Sequence, residues 1–204
     1  MNVSRILAIA ALSTACGGAI ARGGAPAVAA QTVSGAAAAP AQPNAAVLAD
    51  FNKRVEQYAD LHKQLAKGNA AQKETADAAK LNAAQAALTA RIQSARANAK
   101  HGDMFTPEVR PVFRRLLAPE LKGEDGRDAK AILKDDAPAP GAIPFKVNAK
   151  YPDNQPKPTV PANLLQVLPP LPAPLEYRIV GQHLLLIDTA ADLVVDYILN
   201  AVIK

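Results

Sequence analysis

Apolar residues recur at alternating three- and four-residue steps over residues 44–67. This spacing predicts a helix with a single apolar stripe along one side. Asn44 is placed to cap the start of this helix, and Gly68 with Asn69 predicts its end. The stripe comprises Val47, Leu48, Phe51, Val55, Tyr58, Leu61 or His62, and Leu65.

A second helical pattern covers residues 73–100, but its apolar positions are few: Leu81, Leu88, Ile92 and Ala95. The remaining positions are rich in alanine, which favours helix but buries little apolar surface. Such a helix needs a partner, and the helix over residues 44–67 is close in sequence. We therefore expect an antiparallel helical hairpin with a coiled-coil seam.

A third helix is predicted to begin at Thr106 and Pro107, because threonine caps helices and proline favours the first helical position. We expect Pro119 to end it and residues 128–134 to add a further helical turn or two. The apolar face of the third helix consists of Val112, Phe113, Leu116 and Leu117.

Residues 136–174 contain 11 of the 17 prolines in the chain. Proline removes a backbone donor and fixes φ, so this density excludes a long helix or a central strand. We expect an extended arm.

The last thirty or so residues are dense in strand formers. Two short runs, 176–180 and 183–187, flank Gly181-Gln182, and a turn that starts with glycine is typical of a hairpin. Residues 193–198 predict a third strand. A C-terminal helix is the alternative, because residues 189–192 also form a capping box. The β-branched residues favour a strand: Val194, Val195 and Ile198.

Together these elements predict a fold of the α+β class. It has an N-terminal antiparallel helical hairpin with short helices, a Pro-rich extended arm and a small C-terminal antiparallel β meander. The predicted segments are a signal peptide at 1–30, a disordered linker at 31–43, a helical domain at 44–135, the arm at 136–174 and the meander at 175–204.

Two parts of the sequence resemble a group of exported bacterial proteins of unknown function. One is the C-terminal segment, with Leu175-Glu-Tyr-Arg-Ile-Val-Gly, Asp188 and Leu193-Val-Val-Asp-Tyr. The other is the early helical segment Phe51-Asn-Lys-Arg-Val-Glu-Gln-Tyr58. The resemblance implies export, and it brings no activity, cofactor or catalytic residue.

The N-terminus also predicts export. A short positive start precedes the apolar run 6–15, which is shorter than the roughly 20 apolar residues that span a bilayer. Small residues at 27–30 predict cleavage after Ala30. The only cysteine, Cys16, follows Leu12-Ser-Thr-Ala15, which resembles a lipoprotein processing box, so lipidation at Cys16 is the alternative.

Composition limits the choice of cellular compartment and of partner class. The region after Ala30 contains no cysteine, which fits a protein of the bacterial envelope that is periplasmic or secreted. Removal of the signal peptide lowers the net charge from +5 to +3, and these charges are interspersed. Nucleic-acid binding normally needs clustered Lys and Arg, so we expect none, and we expect membrane contact only if Cys16 is lipidated.

The sequence contains no nucleophile elbow, P-loop or dinucleotide motif. Asp188, Asp192 and Asp196 are spaced four apart, and on a helix they would share one face able to bind Ca²⁺ or Mg²⁺. On strands, Asp188 and Asp192 become turn residues, and Asp196 is expected on the solvent face. We favour strands, and we predict no cofactor. His62, His101 and His183 are expected to be ordinary helix-flank, helix-end and strand-edge residues.

We therefore predict a non-enzymatic envelope protein that acts through protein–protein contacts of its helical hairpin. The partner is another envelope protein or a second copy. The alternative is an enzyme or metal-binding module that uses Asp188 and Asp192, with Glu176 or His183. The predicted contact residues are Phe51, Val55, Tyr58, Leu65, Leu81, Leu88 and Ile92.

Overall fold

The computed structural model describes residues 43–67, 77–135, 146–152 and 158–202, all within one compact unit, Ala39–Lys204. The predicted signal peptide, the cleavage after Ala30 and the lipidation of Cys16 lie outside the described residues. So does the predicted linker, apart from Pro43, where the first helix begins. Within the described ranges, no helix combines the length and apolar character that a bilayer crossing requires.

Helices dominate the N-terminal half and strands the C-terminal part, as predicted. The helices are α1 (Pro43–Ala66), α2 (Ala78–Ala95), α3 (Val109–Glu120), α4 (Gly123–Asp135) and α5 (Ala162–Val167). The strands are β1 (Ala149–Lys150), β2 (Leu175–Val180), β3 (His183–Asp188) and β4 (Leu193–Ile198).

Helix α1 matches its prediction to within one residue at each end. Helix α2 is capped by the side chain of Asp77 and ends at Ala95, five residues before the predicted end at Lys100. At this end the Asn148 side chain donates to the carbonyls of Gln93 and Arg96. The predicted start of this helix, over residues 73–76, lies outside the described residues.

Helices α3 and α4 differ from prediction in their lengths. The hydroxyl and the carbonyl of Thr106 both accept from the N–H of Val109, where α3 begins. Pro119 lies inside the last turn of α3, which continues to Glu120. Helix α4 is longer than the predicted turn or two.

The four described strands form one antiparallel sheet in the order β1-β4-β3-β2. The predicted meander β2-β3-β4 is confirmed, and the alternative C-terminal helix is wrong. Gly181 has a φ of 61° in the β2–β3 turn, a conformation that glycine adopts without steric cost. Two short elements, β1 and α5, interrupt the predicted extended arm over residues 136–174, and neither was predicted. Strand β1 pairs at Ala149↔Val194 and Lys150↔Leu193.

A bulge interrupts the pairing of β3 with β4. Leu186 lies opposite Asp196, whereas Ile187 lies opposite Val194, so β4 has an extra residue at this point. The extra residue breaks the simple alternation of side chains along β4. Val195 and Asp196 are both buried, and the expectation that Asp196 faces solvent is wrong.

The sheet buries apolar residues on both faces. The helix-facing side joins all five helices in one core that extends along the chain from Phe51 to Val202. The opposite side carries a smaller cluster that includes Tyr151, Val180, Leu185, Ile187 and Val194. The helical and β regions therefore share a core, which places residues distant in sequence within hydrogen-bonding distance.

Candidate functional site

A buried polar cluster lies where α1 crosses the end of β3. The Asp188 carboxylate is fully buried, and its Oδ2 accepts hydrogen bonds from Tyr58 Oη at 2.8 Å and from His62 Nδ1 at 2.6 Å. Its Oδ1 accepts from the backbone N–H of Ala191 at 2.9 Å. Three donors therefore surround this carboxylate, as burial of an ionised group requires.

Local structure positions each member of the cluster. Tyr58 and His62 are four residues apart on α1, so they lie on the same face of the helix, one turn apart. Asp188 is the last residue of β3, and its bond to Ala191 forms the turn into β4. The predicted turn chemistry of Asp188 is confirmed, but its contacts with α1 were not predicted.

Arg96 lies beside this cluster, just beyond α2. Its guanidinium carbon is 5.0 Å from the centre of the Tyr58 ring, within range of a cation–π interaction. Burial raises the pKa of Tyr58 well above its usual range, and the nearby charge of Asp188 raises it further. Burial lowers the pKa of Arg96, although the nearby acids Asp103, Asp196 and Asp188 oppose that shift.

Asp196 is a second fully buried carboxylate, and its partners are backbone groups. It accepts from the N–H groups of Gly102, Met104 and Phe105 at 2.9–3.1 Å, and from the N–H of Tyr197. Asp196 thus fixes the loop between α2 and α3 onto the sheet.

Both carboxylates link parts of the fold: Asp188 joins the sheet to α1, and Asp196 joins it to the loop between α2 and α3. The Asp188 carboxylate holds His62 with its proton on Nδ1, the arrangement that orients a histidine in a catalytic dyad. Both oxygens of Asp188 are, however, already engaged by the fold. Across the described ranges, no group of three His, Cys, Asp or Glu side chains converges to hold a metal ion. The alternative metal site at Asp188, Asp192 and Asp196 therefore does not form in this arrangement.

The residues of the alternative enzyme site each make other contacts. His183 Nδ1 accepts from the backbone N–H of Asn200, and burial lowers the pKa of His183. Glu176 pairs with Arg178 on the same strand. His101 lies beyond the end of α2, where it stacks on Tyr197 with ring centres 4.2 Å apart.

Most of the predicted contact residues of the hairpin lie inside the protein. Five of them are buried in the core and cannot reach a partner while the domain is folded: Phe51, Val55, Tyr58, Leu88 and Ile92. Leu65 is partly buried against the same core. Leu81 alone of the seven is largely exposed, at 45%. The stripe on α1 packs within the protein, because α2 and α3 lie against α1 and its buried residues belong to the core shared with the sheet.

Among the described residues, two of the surface depressions could admit a ligand or partner. One is an apolar groove of about 630 Å³ between α5, the following prolines and β2. The other is a polar cleft of about 590 Å³ beside α2. Both volumes lie within the range of about 300–1,000 Å³ that is common for binding pockets.

Sequence reasoning missed the cluster because Asp188 lies 130 residues from Tyr58 and 126 from His62. The available signal was the pair of polar groups at four-residue spacing within the otherwise apolar stripe of α1. Such a pair, once buried, requires a partner across the core.

No protein family, curated protein or solved structure matches this chain.

Proposed function

We propose that this protein is an exported, non-enzymatic binding protein that acts through contact with another protein. The observation that carries the proposal is the apolar groove between α5 and β2. We place the contact surface in this groove and not on the apolar stripe of the helical hairpin, because most of that stripe is buried.

The groove combines an apolar lining with an exposed leucine. Leu165 of α5 is 50% exposed at its rim, and residues 175–178 of β2 form the opposite wall. Between them the lining is mostly aliphatic or proline: Val160, Leu168, Pro169, Pro170 and Leu171. A concave, mostly apolar lining with a few polar groups is typical of a binding site.

The strand that lines the groove indicates the kind of segment that binds. In the described sheet β2 lies at the edge, opposite β1. Edge strands direct alternate backbone N–H and C=O groups away from the sheet, and an extended segment can pair with them. The charges nearby, Glu176 and Arg178, pair with each other. The occupant is therefore an extended, uncharged segment of a partner protein with aliphatic side chains.

The buried acids are consistent with this proposal. Asp188 and Asp196 direct their oxygens to groups of the fold and not to the groove. Export of the protein rests on the N-terminal signal pattern, with cleavage after Ala30, and lipidation at Cys16 remains the alternative form.

The test is in-cell crosslinking of the full chain in which Leu165→Glu is compared with Leu199→Glu. Leu199 is 44% exposed and lies outside the groove, so it is a matched control for an exposed leucine. We expect capture of one envelope protein by the wild type and by Leu199→Glu. Capture by Leu165→Glu should fall at least about tenfold, as is common when a central apolar contact is lost.

Equal capture by both variants would contradict the groove as the contact surface. Export is tested separately, by mass spectrometry of the N-terminus of the protein recovered from the cell envelope. A mature N-terminus at Gln31 supports cleavage after Ala30, and a lipid-modified Cys16 supports the alternative. An intact Met1 in a protein retained in the cytoplasm would overturn export.

A further inference from the structure

The polar cleft lies beside α2, along the side of the helix that flanks its buried residues Leu88 and Ile92. Lys150 of β1 and Asp192 of the β3–β4 turn form the opposite wall. The α2 side chains that line the cleft follow one another at alternating steps of three residues and one residue: Asn82, Gln85, Ala86, Thr89, Ala90 and Gln93.

Hydrogen bonds to the opposite wall fix the cleft. Gln85 Nε2 donates to the carbonyl of Ala190 at 3.2 Å, and Thr89 Oγ1 donates to the carbonyl of Ala191 at 2.7 Å. At the other end, Gln93 Nε2 donates to the carbonyl of Asn148 at 3.1 Å. A site held in this way loses little conformational entropy when a ligand binds.

The two charges of the cleft balance each other. Asp192 is only 6% exposed, and its Oδ2 lies 3.8 Å from Lys150 Nζ. Its backbone φ of 52° lies in the left-handed region, which is uncommon for residues other than glycine. Because one positive and one negative group face the same space, the cleft does not favour a ligand with net charge.

The remaining lining chemistry defines the class of ligand. Gln85 and Gln93 each donate one N–H to the opposite wall, but an amide group also has a second N–H and an acceptor oxygen. Each hydroxyl group of a sugar likewise donates and accepts. Ala86 and Ala90 leave space between the amides and present methyl groups to the C–H face of a sugar ring. We propose that this cleft binds an uncharged carbohydrate. The site is separate from the groove between α5 and β2 and does not depend on it.

The affinity should be in the millimolar range, since the described lining contains no aromatic ring on which a sugar could stack. The test is an NMR titration of the mature protein with N-acetylglucosamine, which has both hydroxyl and amide groups. We expect saturable shifts of the side-chain amide signals of Asn82, Gln85 and Gln93. The cationic glucosamine and the anionic glucuronate should bind more weakly.

Ala86→Phe and Ala87→Phe form a matched pair of variants. Both alanines are exposed on α2, but only Ala86 lines the cleft. We expect Ala86→Phe to fill the cleft and weaken binding at least about tenfold, with Ala87→Phe close to wild type. Amide spectra that match wild type away from α2 will confirm that both variants are folded.

Three results would overturn the proposal: no saturable shift up to the solubility limit of the sugar, equal binding by both variants, or tighter binding of a charged analogue. A second titration, with the disaccharide of N-acetylglucosamine, distinguishes the source of the ligand. Tighter binding of the disaccharide supports recognition of a polymeric glycan, and equal binding supports recognition of a free sugar.

Discussion

Asp188 and Asp196 are both fully buried on the helix-facing side of the sheet, yet they are stabilised in different ways. Asp188 accepts mainly from side chains, Tyr58 and His62 of α1. Asp196 accepts from the backbone of the loop that follows α2 and from its own strand. One carboxylate attaches a helix to the sheet, and the other shapes a loop.

The difference matters because side chains can exchange donor and acceptor roles and backbone N–H groups cannot. A hydroxyl can rotate, and a neutral imidazole can move its proton from one nitrogen to the other. A backbone N–H remains a donor whatever faces it. The two sites should therefore respond differently to the same substitution.

The largest effect is expected for Asp196→Asn. The amide retains one acceptor oxygen and directs an NH₂ group at N–H donors, so we expect the free energy of unfolding to fall by about 3–5 kcal/mol. Urea unfolding followed by circular dichroism measures this loss. Asp103→Asn is the control, because Asp103 is an exposed acid of the same loop. A loss as small as that of Asp103→Asn would contradict the backbone-capping role.

Asp188→Asn should cost less, about 2–3 kcal/mol. The new NH₂ group can donate to His62 Nδ1 if the imidazole proton moves to Nε2, and the Tyr58 hydroxyl can rotate. Nitrogen NMR of the imidazole should show this change of tautomer. A loss of stability that matches or exceeds the loss in Asp196→Asn would refute the distinction between the two acids.

Removal of a single hydroxyl tests the cluster more finely. Tyr58→Phe removes a donor to a carboxylate, and we expect a loss of about 2 kcal/mol. Tyr177→Phe is its control, since Tyr177 is also buried but donates to the neutral carbonyl of Pro169, a bond of about 1 kcal/mol. Urea unfolding at neutral pH compares the two variants. Equal losses would show that the charge of Asp188 adds nothing to its bond with Tyr58.

The free energy of unfolding at alkaline pH provides a further test, in which the effect grows step by step with pH. Burial raises the pKa of Tyr58 and of Tyr177 in the folded protein. The unfolded chain then ionises first, near pH 10, so the stabilising contribution is complete below that pH and declines above it. We expect each tyrosine to lower the free energy of unfolding by about 1.4 kcal/mol per pH unit there.

Unfolding measured at a series of alkaline pH values should therefore give a shallower decline for Tyr58→Phe than for wild type. Comparison of the two proteins cancels the titration of other groups. A decline with the same slope in both proteins would mean that Tyr58 ionises as readily in the folded state as in the unfolded chain.

The elements that were predicted well are those that a local pattern defines. The apolar stripe from Val47 to Leu65 is sufficient to define α1, since helical spacing needs only neighbours three or four residues away. Gly181 and the β-branched run at Val194 and Val195 similarly identify the β2–β3 turn and β4. Strand β1 escaped prediction because two residues carry no periodicity.

The side-chain environments were predicted less well. Alternation along β4 assigned Asp196 to solvent, but the bulge opposite Leu186 and Ile187 turned it into the core. The stripe of α1 is compatible with binding a partner or with packing inside the protein, and only the tertiary structure shows that it packs internally. A pattern specifies which side of an element is apolar and does not specify what covers that side.

The sequence by itself determined the order and type of the main elements and the hairpin turn, because these depend on interactions between near neighbours. It also carries the export signal pattern, which remains a prediction. The tertiary structure alone decided the partners of Asp188 and Asp196, the shape of the groove beside Leu165 and the wall that Asp192 provides for the cleft. These features depend on packing between residues up to 130 positions apart, and such packing is set by the core as a whole.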